Sequence, residues 1–230
     1  MKVVILAGGY GTRLAEATDQ LPKPMIKIGN IPIILHIINH YKKFNFNEVI
    51  ICAGYKKEII EKYFENTKKI KVVDTGLDTQ TGARIKKVEE FIKEDENFFM
   101  TYGDGISNVN INDLIEFHKK NKKIATLTAV RPIPRFGHIT LQNEKVIQFK
   151  EKDHLSEGWI NGGFFVLNKK VFSYINDNQN CIFEREPLEN LSKDGELVAF
   201  RHESFWHPVD TLRDKNYLNE IFNKGKAPWL

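Results

Sequence analysis

Residues 3–7, Val-Val-Ile-Leu-Ala, form an uninterrupted apolar run that predicts a strand buried on both faces. Glycines at 8, 9 and 11 end it in a turn. Pro22 and Pro24 each disfavour helix in the residue before them, so residues 19–24 are expected to be extended. Pro32 opens a helix to about Phe44, with Ile34, Leu35, Ile38 and Tyr41 on one face. A strand over 48–53, a helix over 56–64 and a strand over 71–74 follow. The Gly/Thr-rich stretch 75–82 leads into a helix with Ile85, Val88, Phe91 and Ile92 on one side. A strand at 98–102 ends in Gly103-Asp104-Gly105, before a helix at 112–119 and a strand at 124–130. This alternation predicts an α/β domain built on a mostly parallel sheet covered by helices on both faces.

After Arg131 the pattern changes. Residues 137–141 and 145–149 flank Asn143-Glu144 as a hairpin, and 159–167 form a long strand interrupted by Gly162-Gly163. Two short helices, a strand at 197–201 and a helix from Thr211 complete the chain. The second half therefore adds antiparallel pieces to the same mixed sheet. Ligands in such sheets bind beyond the carboxyl ends of the strands, where the glycine turn and Asp104 both fall.

Composition narrows the function. The chain has 230 residues, enough for one domain with its own core, and its 41% apolar and 28% charged residues exclude a disordered chain. A net charge of +4 is too mild for a nucleic-acid binder but tolerates small anionic ligands. Cys52 and Cys181 are too few for a disulfide framework, and no CxxC is present. No apolar run approaches the roughly 20 residues of a membrane span, and the amino-terminal run is too short for a signal peptide. A cytoplasmic protein with no membrane partner is expected.

The chemistry concentrates in Leu6-Ala7-Gly8-Gly9-Tyr10-Gly11-Thr12-Arg13-Leu14, with Pro22-Lys23-Pro24 behind it. Adjacent glycines let backbone N–H groups approach phosphate oxygens, and Arg13 and Lys23 supply charge for a triphosphate. The loop is not a Walker motif, since Gly-Lys-Ser/Thr is missing, and Leu14 stands where a dinucleotide fingerprint needs its last glycine. The competing reading is a purely structural turn. Asp104 is a candidate metal ligand, or a turn aspartate making a local Asx bond. Asp210 is a second candidate ligand, or the N-cap of the last helix.

The stretch 8–24, taken with Val73-Asp74-Thr75-Gly76, Thr81-Gly82-Ala83-Arg84-Ile85-Lys86, Thr101-Tyr102-Gly103-Asp104-Gly105, Arg135-Phe136-Gly137, Ile160-Asn161-Gly162-Gly163-Phe164-Phe165-Val166 and Asp210-Thr211-Leu212-Arg213-Asp214-Lys215, resembles the sugar-phosphate nucleotidyltransferase family. Within it the chain is most similar to the glucose-1-phosphate cytidylyltransferases, over nearly its full length. The resemblance implies a Rossmann-like fold and transfer of CMP from CTP to a phosphorylated small molecule. It implies a single domain, with 1–130 mainly nucleotide-binding and 131–230 mainly acceptor-binding and carboxyl-terminal, and a homo-oligomer. It places Leu6, Ala7, Gly8, Gly9, Gly11, Thr12, Arg13, Lys23, Thr81, Gly82, Arg84 and Gly103 on the nucleotide. It places Tyr102, Glu151, Lys152, Asn161 and Gly162 on the acceptor, and Asp104 and Asp210 on Mg²⁺. Arg13, Lys23, Asp104, Lys152 and Asp210 are the implied catalytic set. Electrostatics agrees, because two phosphates forced together repel by several kcal/mol at about 4 Å unless cations intervene.

Departures from the family pattern leave the acceptor open. Only 65–70 spans a gap where the cytidylyltransferases carry an extra segment, Gly-Gly-Arg becomes Gly82-Ala83-Arg84, and Asp153 stands where proline usually follows Glu-Lys. Glucose 1-phosphate leads, with another phosphate such as phosphoglutamine, or UTP or dTTP as donor, as alternatives. A non-catalytic nucleotide-binding module is disfavoured, because Lys23, Asp104 and Asp210 are all present. Backbone groups of 7–9 and the stretch 79–82 are candidates to select cytosine. His36 and His40 share a helix face without a zincin glutamate and read as surface or interface residues. His207 either borders the site or packs. Cys52, in a buried strand, reads as inert, and Phe44, Phe46, Phe98, Phe99, Phe164 and Phe165 read as core.

Overall fold

The computed structural model describes residues 1–14, 20–132, 137–151 and 158–230, with Arg13 described by its backbone alone. In chain order the elements are β1 (Val3–Ala7), β2 (Lys27–Ile28), β3 (Ile31–Pro32), α1 (Ile33–Lys43), β4 (Val49–Ala53), α2 (Lys57–Phe64), β5 (Ile70–Asp74), α3 (Thr81–Lys86), β6 (Asn97–Tyr102), β7 (Gly105–Ser107), α4 (Ile111–Asn121), β8 (Ala125–Val130), β9 (His138–Gln142), β10 (Lys145–Lys150), β11 (Ile160–Asn168), α5 (Glu186–Lys193), β12 (Leu197–His202), β13 (Trp206–Pro208) and α6 (Leu212–Asn223). Seven strands form one sheet in the order β12-β8-β11-β6-β1-β4-β5. All run parallel except β11, which pairs antiparallel with both β6 and β8.

Strand alternation divides the core into two layers. Val3, Ile5, Ala7, Phe99 and Phe164 face α1, α2, α4 and α6, while Val4, Leu6, Phe98 and Phe165 face α3, α5 and a 3₁₀ turn at Lys169–Tyr174. The predicted strands and helices are present, most within two residues of their expected ends. The predicted helix after Thr81 divides, giving α3 and a separate 3₁₀ turn at Glu89–Phe91. Val88 and Ile92 stay buried, while Phe91 turns outward beneath the Lys71 ammonium, 3.7 Å from its ring centre. The extended reading of 19–24 fails at its end, because Lys23–Met25 is a 3₁₀ turn closed by Met25 N–H to the Pro22 carbonyl at 2.8 Å. Pro24 is tolerated there because the first turn has no use for its missing N–H.

Two small pairings escaped the sequence pattern. One is β2 with β3. The other, β7 with β13, positions the site. Gly105 pairs with Pro208, and Val209 N–H donates to the Asp104 carbonyl at 2.9 Å. This two-stranded ribbon brings Asp104 and Asp210 side by side.

The histidines correct a second expectation: His36 and His40 are buried, not on the surface. The sheet, the β2–β3 hairpin and the chain end together cover that face of α1. His36 Nε2 donates to the Ile28 carbonyl at 3.0 Å, and its Nδ1 accepts from Trp229 Nε1 at 3.1 Å, which docks the last residues. His40 Nε2 donates to the Val109 carbonyl at 2.8 Å. His118 lies between Thr126 Oγ1 at 2.9 Å and Asn97 Oδ1 at 3.1 Å. Asn97 Oδ1 can only accept, so the neutral ring carries its proton on Nε2.

Burial pushes both His40 and His118 down to about 4. The unfolded chain titrates near 6.5, so below that pH it binds protons that the folded chain refuses. Stability conferred by these rings is whole above pH 6.5 and falls as the pH drops toward 4. At pH 5 the expected loss is on the order of 2 kcal/mol per ring, an upper figure for such groups. Urea unfolding at pH 7, 6 and 5 measures it, and His118→Gln should reduce the slope, the remainder coming from His40 and the likewise depressed His36 and His202.

Candidate active site

A cleft of about 640 Å³ opens at the carboxyl ends of β1 and β6. One wall is the glycine loop. Thr12–Leu14 forms a 3₁₀ turn closed by Leu14 N–H to the Gly11 carbonyl at 3.0 Å, and Gly11 has φ 67°. The Gly8 carbonyl points into the protein, where it accepts from Tyr55 N–H at 3.1 Å and from Arg84 Nη2 at 2.9 Å. A trans peptide sets carbonyl and N–H on opposite sides, so the Gly9 N–H faces the cleft that Gly9 lines. Only glycine fits at position 8, because a Cβ would fall 2.1 Å from Arg84 Nη1.

Arg84 is the clasp beneath this loop. Its side chain is buried, and its guanidinium also donates to the Ala53, Gly76 and Leu77 carbonyls and to Thr75 Oγ1 at 2.6 Å. These acceptors lie at the ends of β4 and β5. Arg84 lines the cleft, but its donors are spent on shaping the loops around it.

Opposite the clasp, Lys23 lies between two carboxylates. Its Nζ is 2.7 Å from Asp104 Oδ2 and 2.7 Å from Asp210 Oδ1. Burial lowers the lysine's proton affinity, but the charge of Asp104 and the hydrogen bonds of both aspartates outweigh it and leave the pKa raised. The alternative role of Asp210 as helix cap is taken by its neighbour. Thr211 caps α6 in a reciprocal box with Asp214, and Asp214 also accepts the Asp210 N–H at 3.1 Å. The Asp210 side chain is thereby turned to Lys23. Asp104 likewise gives its carboxylate to Lys23, reached across 81 residues of chain, and not to a local turn.

The third wall is a chain of hydrogen bonds. Asn161 Nδ2 donates to Tyr102 Oη at 3.1 Å, and Tyr102 donates to Glu184 Oε1 at 2.5 Å. Thr81 Oγ1 donates to Glu184 Oε2 at 2.5 Å. Burial first, then the charge of Glu184, raises the Tyr102 pKa and keeps it a neutral phenol. Asn161 is held by Gly163 N–H, which donates to its Oδ1 at 2.8 Å. Gly163 has φ 77° and packs against the Tyr102 ring, where a Cβ would fall at 2.4 Å.

The structure thus gathers Leu6, Ala7, Gly8, Gly9, Gly11, Thr12, Lys23, Thr81, Arg84, Tyr102, Gly103, Asp104, Asn161 and Asp210 around one cleft. Gly82 packs against Cys181, and the Gly162 carbonyl accepts from Trp206 Nε1 at 2.7 Å, so neither lines the cleft. Glu151 is exposed at the end of the β9–β10 hairpin. Lys152 and the Arg13 side chain lie outside the described residues. His207 packs between Phe205 and Tyr217, and burial drives the Cys52 thiol up to about 12. Glu184 is the cleft residue that the sequence reading missed. In sequence it is one of several charged residues before Pro187, and only its contacts with Thr81 and Tyr102 distinguish it.

The model of the nucleotidyl transferase family matches residues 2–215. A glucose-1-phosphate cytidylyltransferase of Salmonella typhi is 46% identical over 254 aligned positions, covering 100% of this chain and 98% of that protein. The alignment is longer than the 230-residue chain, so that relative has residues without a counterpart here. A D-glycero-alpha-D-manno-heptose 1-phosphate guanylyltransferase of Aneurinibacillus thermoaerophilus is 35% identical, over 90% of this chain and 91% of that one. Among solved structures, HddC from Yersinia pseudotuberculosis has a TM-score of 0.76 at 25% identity, covering 96% of this chain and 99% of that one. A UDP-glucose pyrophosphorylase complexed with UDP-glucose scores 0.74 at 18% identity, covering 97% and 98%, a likeness of fold alone. With the glycine loop, the paired aspartates and the Rossmann-like mixed sheet already in place, the extent of these matches leads to one conclusion: the chain belongs to the nucleotidyl transferase family.

Proposed function

We propose that this cleft transfers the CMP group of CTP to glucose 1-phosphate, releasing pyrophosphate and forming CDP-glucose. The observation that carries the reading is the meeting of Lys23, Asp104 and Asp210 beside the glycine loop. The 46% identity to a glucose-1-phosphate cytidylyltransferase supports the choice of substrates. A phosphate oxygen of the acceptor attacks the α-phosphorus. The new P–O bond forms as the bond to the β-phosphate oxygen breaks, and its electron pair leaves with pyrophosphate. The acceptor phosphate already carries close to two negative charges, so no general base is required.

The chain's own groups then have defined work. Gly9 N–H and the loop around it bind phosphate oxygens. Lys23 offsets one of the two aspartate charges before substrates arrive and stands ready to donate to the incoming phosphate. Asp104 and Asp210 offer the oxygen donors that Mg²⁺ takes and would hold it, with the Lys23 ammonium standing between them in this structure. No third His, Cys, Asp or Glu joins them among the described residues, so the remaining ligands would be phosphate oxygens and water. When bound there, Mg²⁺ would neutralise charge on the phosphates. A homo-oligomer follows from the same resemblance and a cytoplasmic setting from the two cysteines without a disulfide framework, and no described helix is long and apolar enough to cross a membrane.

Pyrophosphate release from a grid of CTP, UTP, dTTP and GTP against glucose 1-phosphate, other hexose 1-phosphates and phosphoglutamine tests the substrates. Release is expected with CTP and glucose 1-phosphate, and equal rates with UTP or dTTP would remove the assignment of base. Asp104→Asn should lower kcat by at least 100-fold with the melting temperature nearly unchanged, because the residue is half-exposed and its loss relieves Lys23 of only one of two partners. Turnover close to that of the unsubstituted enzyme would rule out Asp104 as a ligand.

A further inference from the structure

We propose that Glu184 is the specificity-determining residue that reads the hydroxyl groups of the acceptor sugar, an inference that rests on the transfer reaction proposed above. Glu184 precedes α5, in a loop laced to α3 by three hydrogen bonds. Gln80 N–H donates to the Gln179 carbonyl, Ala83 N–H to the Cys181 carbonyl, and Phe183 N–H to Thr81 Oγ1. This lacing carries a residue distant in sequence to the edge of the cleft and fixes its backbone.

The carboxylate is then held from behind. Tyr102 donates to one oxygen and Thr81 to the other, each at 2.5 Å. A carboxylate only accepts, and has about four lone-pair positions. Two are filled on the protein side, which leaves one on each oxygen for a ligand. Among the described residues no lysine or arginine pairs with it. Such a group repels phosphate, because like charges at short range in a cleft are poorly screened. It attracts neutral O–H donors, and two adjacent acceptor positions suit two neighbouring hydroxyls.

The tie to Tyr102 and Asn161 assigns those hydroxyls to the acceptor. Arg84 ties the glycine loop toward β4 and β5, on one side of β1. One oxygen of Glu184 is held by Thr81 of α3, the helix that also carries Arg84, while the other is bonded to Tyr102 at the end of β6, and through it to Asn161 on β11, on the other side of β1. Asp104 follows Tyr102 closely enough that its charge acts on the phenol. The sugar of a phosphate bound near Asp104 therefore lies within reach of this carboxylate.

The test compares the unsubstituted enzyme with Glu184→Gln and Glu184→Ala. Initial rates are measured with glucose 1-phosphate varied at saturating CTP, then with CTP varied. The KM for glucose 1-phosphate should rise about 10-fold in Glu184→Gln and more in Glu184→Ala, with the KM for CTP within about 2-fold. Glucose 1-phosphates lacking one hydroxyl should lose affinity for the unsubstituted enzyme at the positions read, and lose little more in the variants. A rise in the KM for CTP alone would assign the carboxylate to the ribose and overturn the proposal, as would both constants staying within 2-fold. If the unsubstituted enzyme releases no pyrophosphate with any acceptor, the transfer reaction fails on its own account. Calorimetric binding of glucose 1-phosphate then decides on Glu184: at least 10-fold weakening in Glu184→Gln supports the role, and equal or undetectable binding to both proteins refutes it.

Discussion

Three charged groups from distant parts of the chain meet at one point, Lys23 from a 3₁₀ turn, Asp104 from the end of β6 and Asp210 from the start of α6. Two carboxylates brought this close would repel by several kcal/mol, so the fold needs a cation between them even before a substrate arrives. Lys23 supplies it, largely buried and with both bonds short. The arrangement amounts to a cation position built into the protein. A reaction that drives one phosphate against another depends on such a position, because the barrier is one of charge and alignment and not of weak nucleophilicity.

What holds the two aspartates there is modest in size. The β7–β13 ribbon is three residues long on each side, and the Val209 N–H to Asp104 carbonyl bond extends it toward the site. Trp206 ties the ribbon to β11 through the Gly162 carbonyl, and the Thr211–Asp214 box releases the Asp210 side chain from capping duty. Each device fixes backbone, and the side chains follow. A functional carboxylate on a rigid strand end loses little further entropy when a ligand arrives, which makes short elements at sheet ends suitable places for such groups.

Much of this was legible in the sequence, and the exceptions share a cause. The central strands β1 and β4 are continuous apolar runs, and burial on both faces leaves such a strand no other pattern to follow. The glycine loop and Gly103-Asp104-Gly105 were readable because close backbone approach excludes side chains. The β7–β13 ribbon was not, because three-residue strands such as Gly-Ile-Ser and Trp-His-Pro carry no periodicity and owe their pairing to tertiary contact. His36 and His40 were misplaced for a related reason. An i,i+4 polar pair on a helix reads as a surface, and it is buried by distant parts of the chain, Ile28 and Trp229 over His36 and Val109 over His40. Glu184 was missed because its function-bearing neighbours, Thr81 and Tyr102, are 103 and 82 residues away.

The same economy governs the two sides of the cleft. On the glycine side, Arg84 and Tyr55 N–H take the Gly8 carbonyl inward, which turns N–H groups toward the ligand and makes that wall a donor surface for anions. On the far side, Tyr102 and Thr81 give their protons to Glu184, which turns lone pairs toward the ligand and makes that wall an acceptor surface for hydroxyls. The glycine wall does this with backbone groups alone, and the far wall with the Glu184 carboxylate held by neutral donors. Each does so by satisfying the opposite valence from behind, so that the unsatisfied one faces the cleft. The polarity of the site is therefore set by how its lining groups are held from behind, and exchanging Arg84 or Tyr102 alters what the cleft can bind.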